Sequence, residues 1–230
     1  MNGFTQWLQQ LQFGSLLEML VTVAASLLCI TVHETCHGLA ALWMGDDTAK
    51  RMGRLTLNPL HHVDPMGLVM MALVRFGWAK PVPVDMRRFR RPKLGMALTA
   101  LAGPVSNVLL MVLAMLLRAV ALVPYFLHPS ALWEYVLLFL EYTAVLSAGL
   151  AVFNLFPIPP LDGSKIFFSL MPARMYGRLM RYERYGMVLL AALLLLNVLD
   201  GPLSYLRSLL IDGASALTDP VFYFFVSKII

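Results

Sequence analysis

The sequence predicts an all-α polytopic membrane protein with about four full transmembrane helices. Re-entrant and partial segments accompany them, with short β-strand or hairpin pieces near a polar site. Three observations carry this expectation. Of 230 residues, 59% are hydrophobic and only 13% charged, with mean hydropathy +0.73, whereas soluble domains are nearer one-quarter charged. The apolar residues are gathered in runs long enough to cross a bilayer, which takes about 20 residues of helix. Prolines, glycines and basic residues collect between those runs. Little chain is left for a separate soluble domain, so residues 1–230 are expected to form one membrane-embedded domain. Its core covers about 15–175, with additional helices over about 183–230. The net charge of +5 sits in the loops, where it reads as membrane-orienting charge and not as a nucleic-acid footprint. No cleavable signal pattern is expected, because residues 1–14 lack a basic start and the first apolar run is too long. Cys29 and Cys36 share one expected helix, roughly 10 Å of rise apart, and cannot bridge within it.

Taken in order, residues 4–13 read as a short interfacial helix with Trp7 as its anchor, or equally as a frayed start to the first span. A first span over about 15–44 is closed by Gly45-Asp46-Asp47, a helix-stop residue and two charges. Residues 48–65 are not expected to be helical: 51–57 alternate in polarity, and Asn58-Pro59 and Asp64-Pro65 are turn signals, which predicts a short strand or hairpin and a loop. The apolar stretch 66–76 is too short to span and reads as re-entrant or buried. Prolines 81 and 83 forbid helix around 78–85 and predict a second extended piece. Next come a basic cluster over 87–93 and a span over about 94–123, interrupted at Gly103-Pro104. A further span covers 131–153 and runs into proline-broken chain, Asn154 to Gly163. A short helix over 164–171, a span over about 186–210 and a partial span over 217–230 complete the chain. Residues 48–93 and 165–184 hold most of the Lys and Arg, and 124–131 holds none. The positive-inside rule puts the first two in the cytoplasm and the third outside.

Inside the first span lies Thr31-Val-His33-Glu34-Thr-Cys36-His37-Gly38. It contains the His-Glu-x-x-His pattern, in which two imidazoles one helical turn apart can share a Zn²⁺ and the glutamate can serve as general base for its water. Three ionisable groups within a membrane span are costly and by default mark a functional site. The bland alternative is a histidine pair merely hydrogen-bonded within a helix bundle. At helical rise the two histidines lie roughly 10–17 Å inside the cytoplasmic end of the span. A catalytic zinc needs a third protein ligand. Position alone leaves Asp162, His61, His62 and Asp64 open, with His128, Glu134 and Glu141 less suitably placed near the outer side. Asp162 follows proline-broken chain, which is tolerated at membrane depth where it is buried in protein or lines a cavity. Its alternative role is to cap the helix that follows. Asn107 and Asn154 could donate hydrogen bonds to substrate or to a developing oxyanion, or could act as glue between helices. Cys36 reads as a small packing residue before a metal contact, and His61 as a loop residue.

The pairing of His33-Glu34-Thr-Cys-His37-Gly38 with Asn154-Leu-Phe-Pro-Ile-Pro-Pro-Leu-Asp162-Gly163 resembles the site-2 protease family of intramembrane zinc metalloproteases, peptidase M50. Three further stretches are similar to its small prokaryotic members: 53–67, 76–84 and Ala102-Gly-Pro-Val-Ser-Asn107. The likeness covers about residues 20–175. It implies one zinc held by His33, His37 and Asp162, with Glu34 activating water. It also implies that residues 51–57 and 79–84 present the substrate as an added strand. Neither a PDZ nor a CBS domain fits in this chain, and His61 stands where relatives are expected to carry lysine. The function that follows is a zinc endopeptidase cutting transmembrane segments of substrate proteins, multi-pass in a prokaryotic plasma membrane, with its site toward the cytoplasm. Its partners are transmembrane proteins and lipid, and no nucleic acid. A membrane zinc-binding or transport protein without peptidase activity is the rival, but a transporter should show polar residues reaching both faces. A catalytically silent scaffold is disfavoured by the intact Glu34.

Overall fold

The computed structural model describes residues 16–67 and 79–227. The helices are α1 (Leu16–Met44), a single turn α2 (Thr48–Arg51), α3 (Pro92–Leu127), α4 (Ala131–Leu155), α5 (Asp162–Ser169), α6 (Ala173–Leu195) and α7 (Asp200–Val226). α1, α3 and α4 are each long and apolar enough to cross a membrane. Tyr185–Leu195 and Asp200–Phe225 qualify together as a fourth candidate, bent by 87°. The exposed side chains Leu109, Leu113, Leu117 and Val120 run along α3. Such an uncovered apolar surface would be anomalous in water and suits lipid. The chain is a membrane protein.

Four expectations are corrected. Among the described residues there is no sheet, and an isolated antiparallel bridge, Val63 to Ala79, stands where strands were expected. Residues 48–51 form helix α2 and 59–61 a 3₁₀ turn. Turn chemistry takes over there: the Asn58 side chain accepts from Leu60 N–H at 3.1 Å, and the Asp64 carboxylate accepts from Met66 and Gly67 N–H at 2.8 and 3.0 Å. Second, α3 runs unbroken through Gly103-Pro104, and also through Pro124. A proline within a long helix costs a hydrogen bond and a local clash but need not end it. Third, the span expected over 186–210 breaks after Leu195, at a turn where Asn197 adopts φ 57°, left-handed geometry that asparagine tolerates. Fourth, 217–226 is not a separate partial span but the end of α7. The interfacial helix expected over 4–13 and most of the re-entrant stretch 66–76 lie outside the described residues.

The chain divides into two compact units. Residues 16–29, 107–153 and 188–227 make the first. Its core is Met111, Ala114, Ala144, Ala148 and Ala214, flanked by Val108, Met115 and Leu210. Small residues on these helices allow close backbone approach where no hydrophobic effect drives association. Cys29 Sγ lies 3.1 Å from Ser147 Oγ within this unit, and Arg118 pairs with Glu141 at 3.2 Å.

Residues 30–67, 79–106 and 154–187 make the second unit, which holds the polar site. Its apolar cluster joins Ala41, Phe89 and Met96, with Met44, Val84 and Met86 packed on it. Fully buried Asp46 ties the loops together, accepting from Thr48 N–H at 3.0 Å and Asp85 N–H at 2.7 Å. Burial opposes its charge. The Thr48 hydroxyl, which also donates to this carboxylate, those two backbone hydrogen bonds and the Arg88 guanidinium prevail and hold the carboxyl below its ordinary range. Lys93 donates to the Met171 carbonyl and lies 5.7 Å above the Tyr176 ring.

Candidate active site

His33 and His37 fall one turn apart on α1, and both are buried. Their Nε2 atoms are 2.9 Å from each other. Asp162 Oδ2 lies 3.2 Å from His33 Nε2 and 2.9 Å from His37 Nε2. Among the described residues these three form the group able to hold a metal ion.

The tautomer of His37 fixes what this cluster can do. Its Nδ1 is 2.7 Å from the Thr99 carbonyl on α3. A carbonyl only accepts, so Nδ1 carries the proton, and a neutral ring then presents a lone pair at Nε2. A carboxylate oxygen and two facing ring nitrogens so close together are a set that a cation satisfies. Two imidazoles and one carboxylate also match the ligand chemistry of catalytic zinc, which leaves a coordination position open. The fit extends to α3. A Cβ added at Gly103 would stand 2.5 Å from His37 Cε1 and Nε2 and 2.6 Å from His33 Cε1. The backbone of α3 can cover the imidazole pair because residue 103 has no side chain.

Asp162 reaches the histidines because it does not cap its own helix. It is the first residue of α5, after Leu161, and that helix end has no side-chain cap. The capping role is thereby set aside. The chain from Phe156 to Leu161 is irregular and contains a cis Pro159-Pro160 bond. Burial opposes the charge of Asp162, but hydrogen bonding to His33 and His37 and the nearby Lys165 ammonium hold its carboxyl well below the usual range. Lys165 Nζ is 3.6 Å from Oδ1, which leaves Oδ2 to face the imidazoles.

Glu34 is half-buried. Its Oε2 accepts from Val82 N–H at 2.9 Å, in the extended segment between Ala79 and Asp85. Gly38, one turn on, is covered by Leu55 and by Val82, whose Cγ1 would lie 3.3 Å from an added Cβ.

The other candidate ligands are occupied elsewhere or exposed. His62 is buried, with Nε2 bonded to the Thr56 carbonyl at 2.9 Å. Asp64 caps its own turn, and His61, His128, Glu134 and Glu141 are exposed. Asn154 is half-buried in the last turn of α4, in the unit that holds the site, and Asn107 is fully buried in the other unit. Sequence reasoning did not identify Thr99, Gly103 as a position facing the imidazoles, Arg54, Val82 or Lys165. Thr99 and Val82 act through backbone atoms, which no residue type announces. A basic residue three after Asp162, and so on its face of α5, was the available signal for Lys165.

Residues 119–198 match the model of peptidase family M50. The chain is 37% identical over 175 residues to the Bacillus subtilis (strain 168) protein named "Putative zinc metalloprotease YwhC", covering 74% of this chain and 78% of that one. It is 30% identical over 211 residues to "Putative zinc metalloprotease Rip2" of Mycobacterium tuberculosis (strain ATCC 25618 / H37Rv), covering 87% and 77%. No solved structure matches. With that similarity, and with a histidine pair on a span-length helix faced by Asp162, the chain belongs to peptidase family M50, the site-2 proteases, a family of metalloproteases.

Proposed function

We propose that this protein is an intramembrane zinc endopeptidase that hydrolyses peptide bonds in the transmembrane segments of substrate proteins. The observation that carries the proposal is the convergence of His33, His37 and Asp162 within an apolar, span-length helix and the chain beside it. These three residues would hold one zinc ion. Bound there, zinc would bring the pKa of a coordinated water near neutrality and polarise the carbonyl to be attacked.

The chain's own residues supply the remainder. Glu34 Oε2 is anchored on Val82 N–H, so Oε1 would take the proton of the attacking water and return it to the departing amine. Thr99 holds the His37 ring in the tautomer that presents Nε2. Asn154 would donate to the developing oxyanion, and Asn107 would contribute a hydrogen bond to substrate or brace its helix. A helical substrate hides its carbonyls, so it must unwind before cleavage. The groups freed need partners in an apolar setting. Basic loops orient the site toward the cytoplasmic half of a prokaryotic plasma membrane, with lipid and transmembrane proteins as the partners.

The test reconstitutes wild type, Glu34→Gln and Asp162→Ala in detergent with a panel of transmembrane peptides, and measures zinc content alongside cleavage. Wild type should carry one zinc and cut. Glu34→Gln should keep the metal and lose roughly 10²–10⁴ in rate, the range expected of a general base. Asp162→Ala should lose metal at low free zinc. Full metal content in Asp162→Ala, or cleavage by Glu34→Gln at the wild-type rate, would overturn the assignment.

A further inference from the structure

Pro81 and Pro83 leave the stretch from Lys80 to Pro83 with two amide protons, since proline has none. Both are committed. Lys80 N–H donates to the His62 carbonyl at 2.9 Å, and Val82 N–H donates to Glu34 Oε2 at 2.9 Å. The carbonyls of Lys80 and Pro81 both accept from one nitrogen, Arg54 Nη2, at 2.6 and 3.2 Å. Arg54 is buried. Burying a guanidinium is costly unless it is hydrogen-bonded, so its position calls for a role.

We infer that Arg54 is a positioning residue for Glu34. By clamping the Lys80 and Pro81 carbonyls it fixes the strap Lys80–Pro83, so that the Val82 amide holds one oxygen of the carboxylate and leaves the other for proton transfer. The inference rests on the proposed role of Glu34 as base. Three further contacts support a fixed strap. Val82 and Leu55, the neighbour of Arg54, both pack over Gly38, one turn above Glu34 on α1. The Thr56 carbonyl accepts from Thr35 Oγ1 at 2.9 Å, adjacent to Glu34. The strap and the Arg54 loop are therefore bound to the helical turn that carries the base. The arrangement also limits substrate pairing along 80–83. A strand added there could donate to carbonyls but would receive no amide proton, so this stretch serves as a strut before it serves as an edge.

Val82→Pro is the discriminating variant. Val82 precedes Pro83 and so already favours extended geometry, and the substitution replaces the amide proton with a ring methylene that cannot donate and that points at Glu34 Oε2. Val82→Pro and Arg54→Met should retain zinc and lose about tenfold or more in kcat on a fluorophore–quencher transmembrane peptide, with KM little changed. Arg54→Lys should fall between Arg54→Met and wild type. Val82→Ala, which keeps the amide, should recover most of what Val82→Pro loses. A second arm needs no turnover: hydrogen exchange at the Val82 amide should quicken at least about tenfold in Arg54→Met and in Glu34→Ala. Wild-type kcat in Val82→Pro alongside an inactive Glu34→Gln would overturn the inference and leave the base assignment standing. Unchanged Val82 exchange in Arg54→Met would overturn the clamp. An active Glu34→Gln would remove both.

Discussion

At the scale of single residues, the site depends as much on what is missing as on what is present. Gly103 is the clearest case. Its α carbon sits where any side chain would enter the space of both imidazoles, with distances of 2.5 and 2.6 Å to ring atoms. The helix backbone there cannot yield easily, because the carbonyl of Thr99, one turn earlier on α3, is bonded to His37 Nδ1 at 2.7 Å. Gly103→Ala should therefore displace the ligands and leave the helix formed, since alanine is the better helix former by about 1 kcal/mol. Zinc titration should show affinity reduced by roughly tenfold or more, in the range reported for disturbed ligand support, while circular dichroism keeps its helical signal. Wild-type zinc affinity in that variant would mean that the imidazoles have room to move.

At the scale of elements, the sequence was legible where one residue type has one physical consequence. The His-Glu-x-x-His spacing fixed His33 and His37 on one face of α1, and the apolar runs located α1, α3 and α4 to within a few residues. It was less legible where local chemistry competes with pattern. Alternating polarity over 51–57 suggested a strand, yet Asn58, Asp64 and their neighbours bond their own backbone. The apolar run over 186–210 concealed the turn at Asn197, although Asp200-Gly201-Pro202 was a helix-start signal within it. Backbone partners such as Thr99 and Val82 left no trace at all. The joint between α4 and α5 shows how such a detail controls the site. A Cβ at Gly163 would collide with the carbonyls of Leu155 and Phe156, so α5 starts against the end of α4 only because that residue is glycine. Gly163→Ala should push α5 away and carry Asp162 with it. The expected outcome is zinc content well below one per chain, although Asp162, His33 and His37 are all intact. Zinc stoichiometry after gel filtration checks it, and full occupancy would mean that α5 can be relocated without its aspartate.

At the scale of the whole molecule, the placement of charge predicts which way the chain lies in the membrane. Ten of its 18 Lys and Arg fall in residues 48–93 and five in 165–184. The loop between α3 and α4 has none. α3 starts at Pro92, beside the first group, and α4 ends at Leu155, before the second. Two crossings therefore separate the basic segments, as the positive-inside rule requires if both are cytoplasmic. On that orientation the polar end of the unit that holds the His-His-Asp cluster is expected on the same side, since Asp46, Arg54 and the strap all follow the C-terminal end of α1. Cysteines placed singly at Lys50 and His128 report the two faces, once Cys29 and Cys36 have been replaced by alanine and serine. In intact cells a membrane-impermeant maleimide should label the cysteine at 128 and spare the one at 50. In inverted vesicles the labels should exchange. Labelling of position 50 from outside would put the basic loops on the wrong face and open the site to the exterior, so that substrates would be met from the opposite side of the membrane.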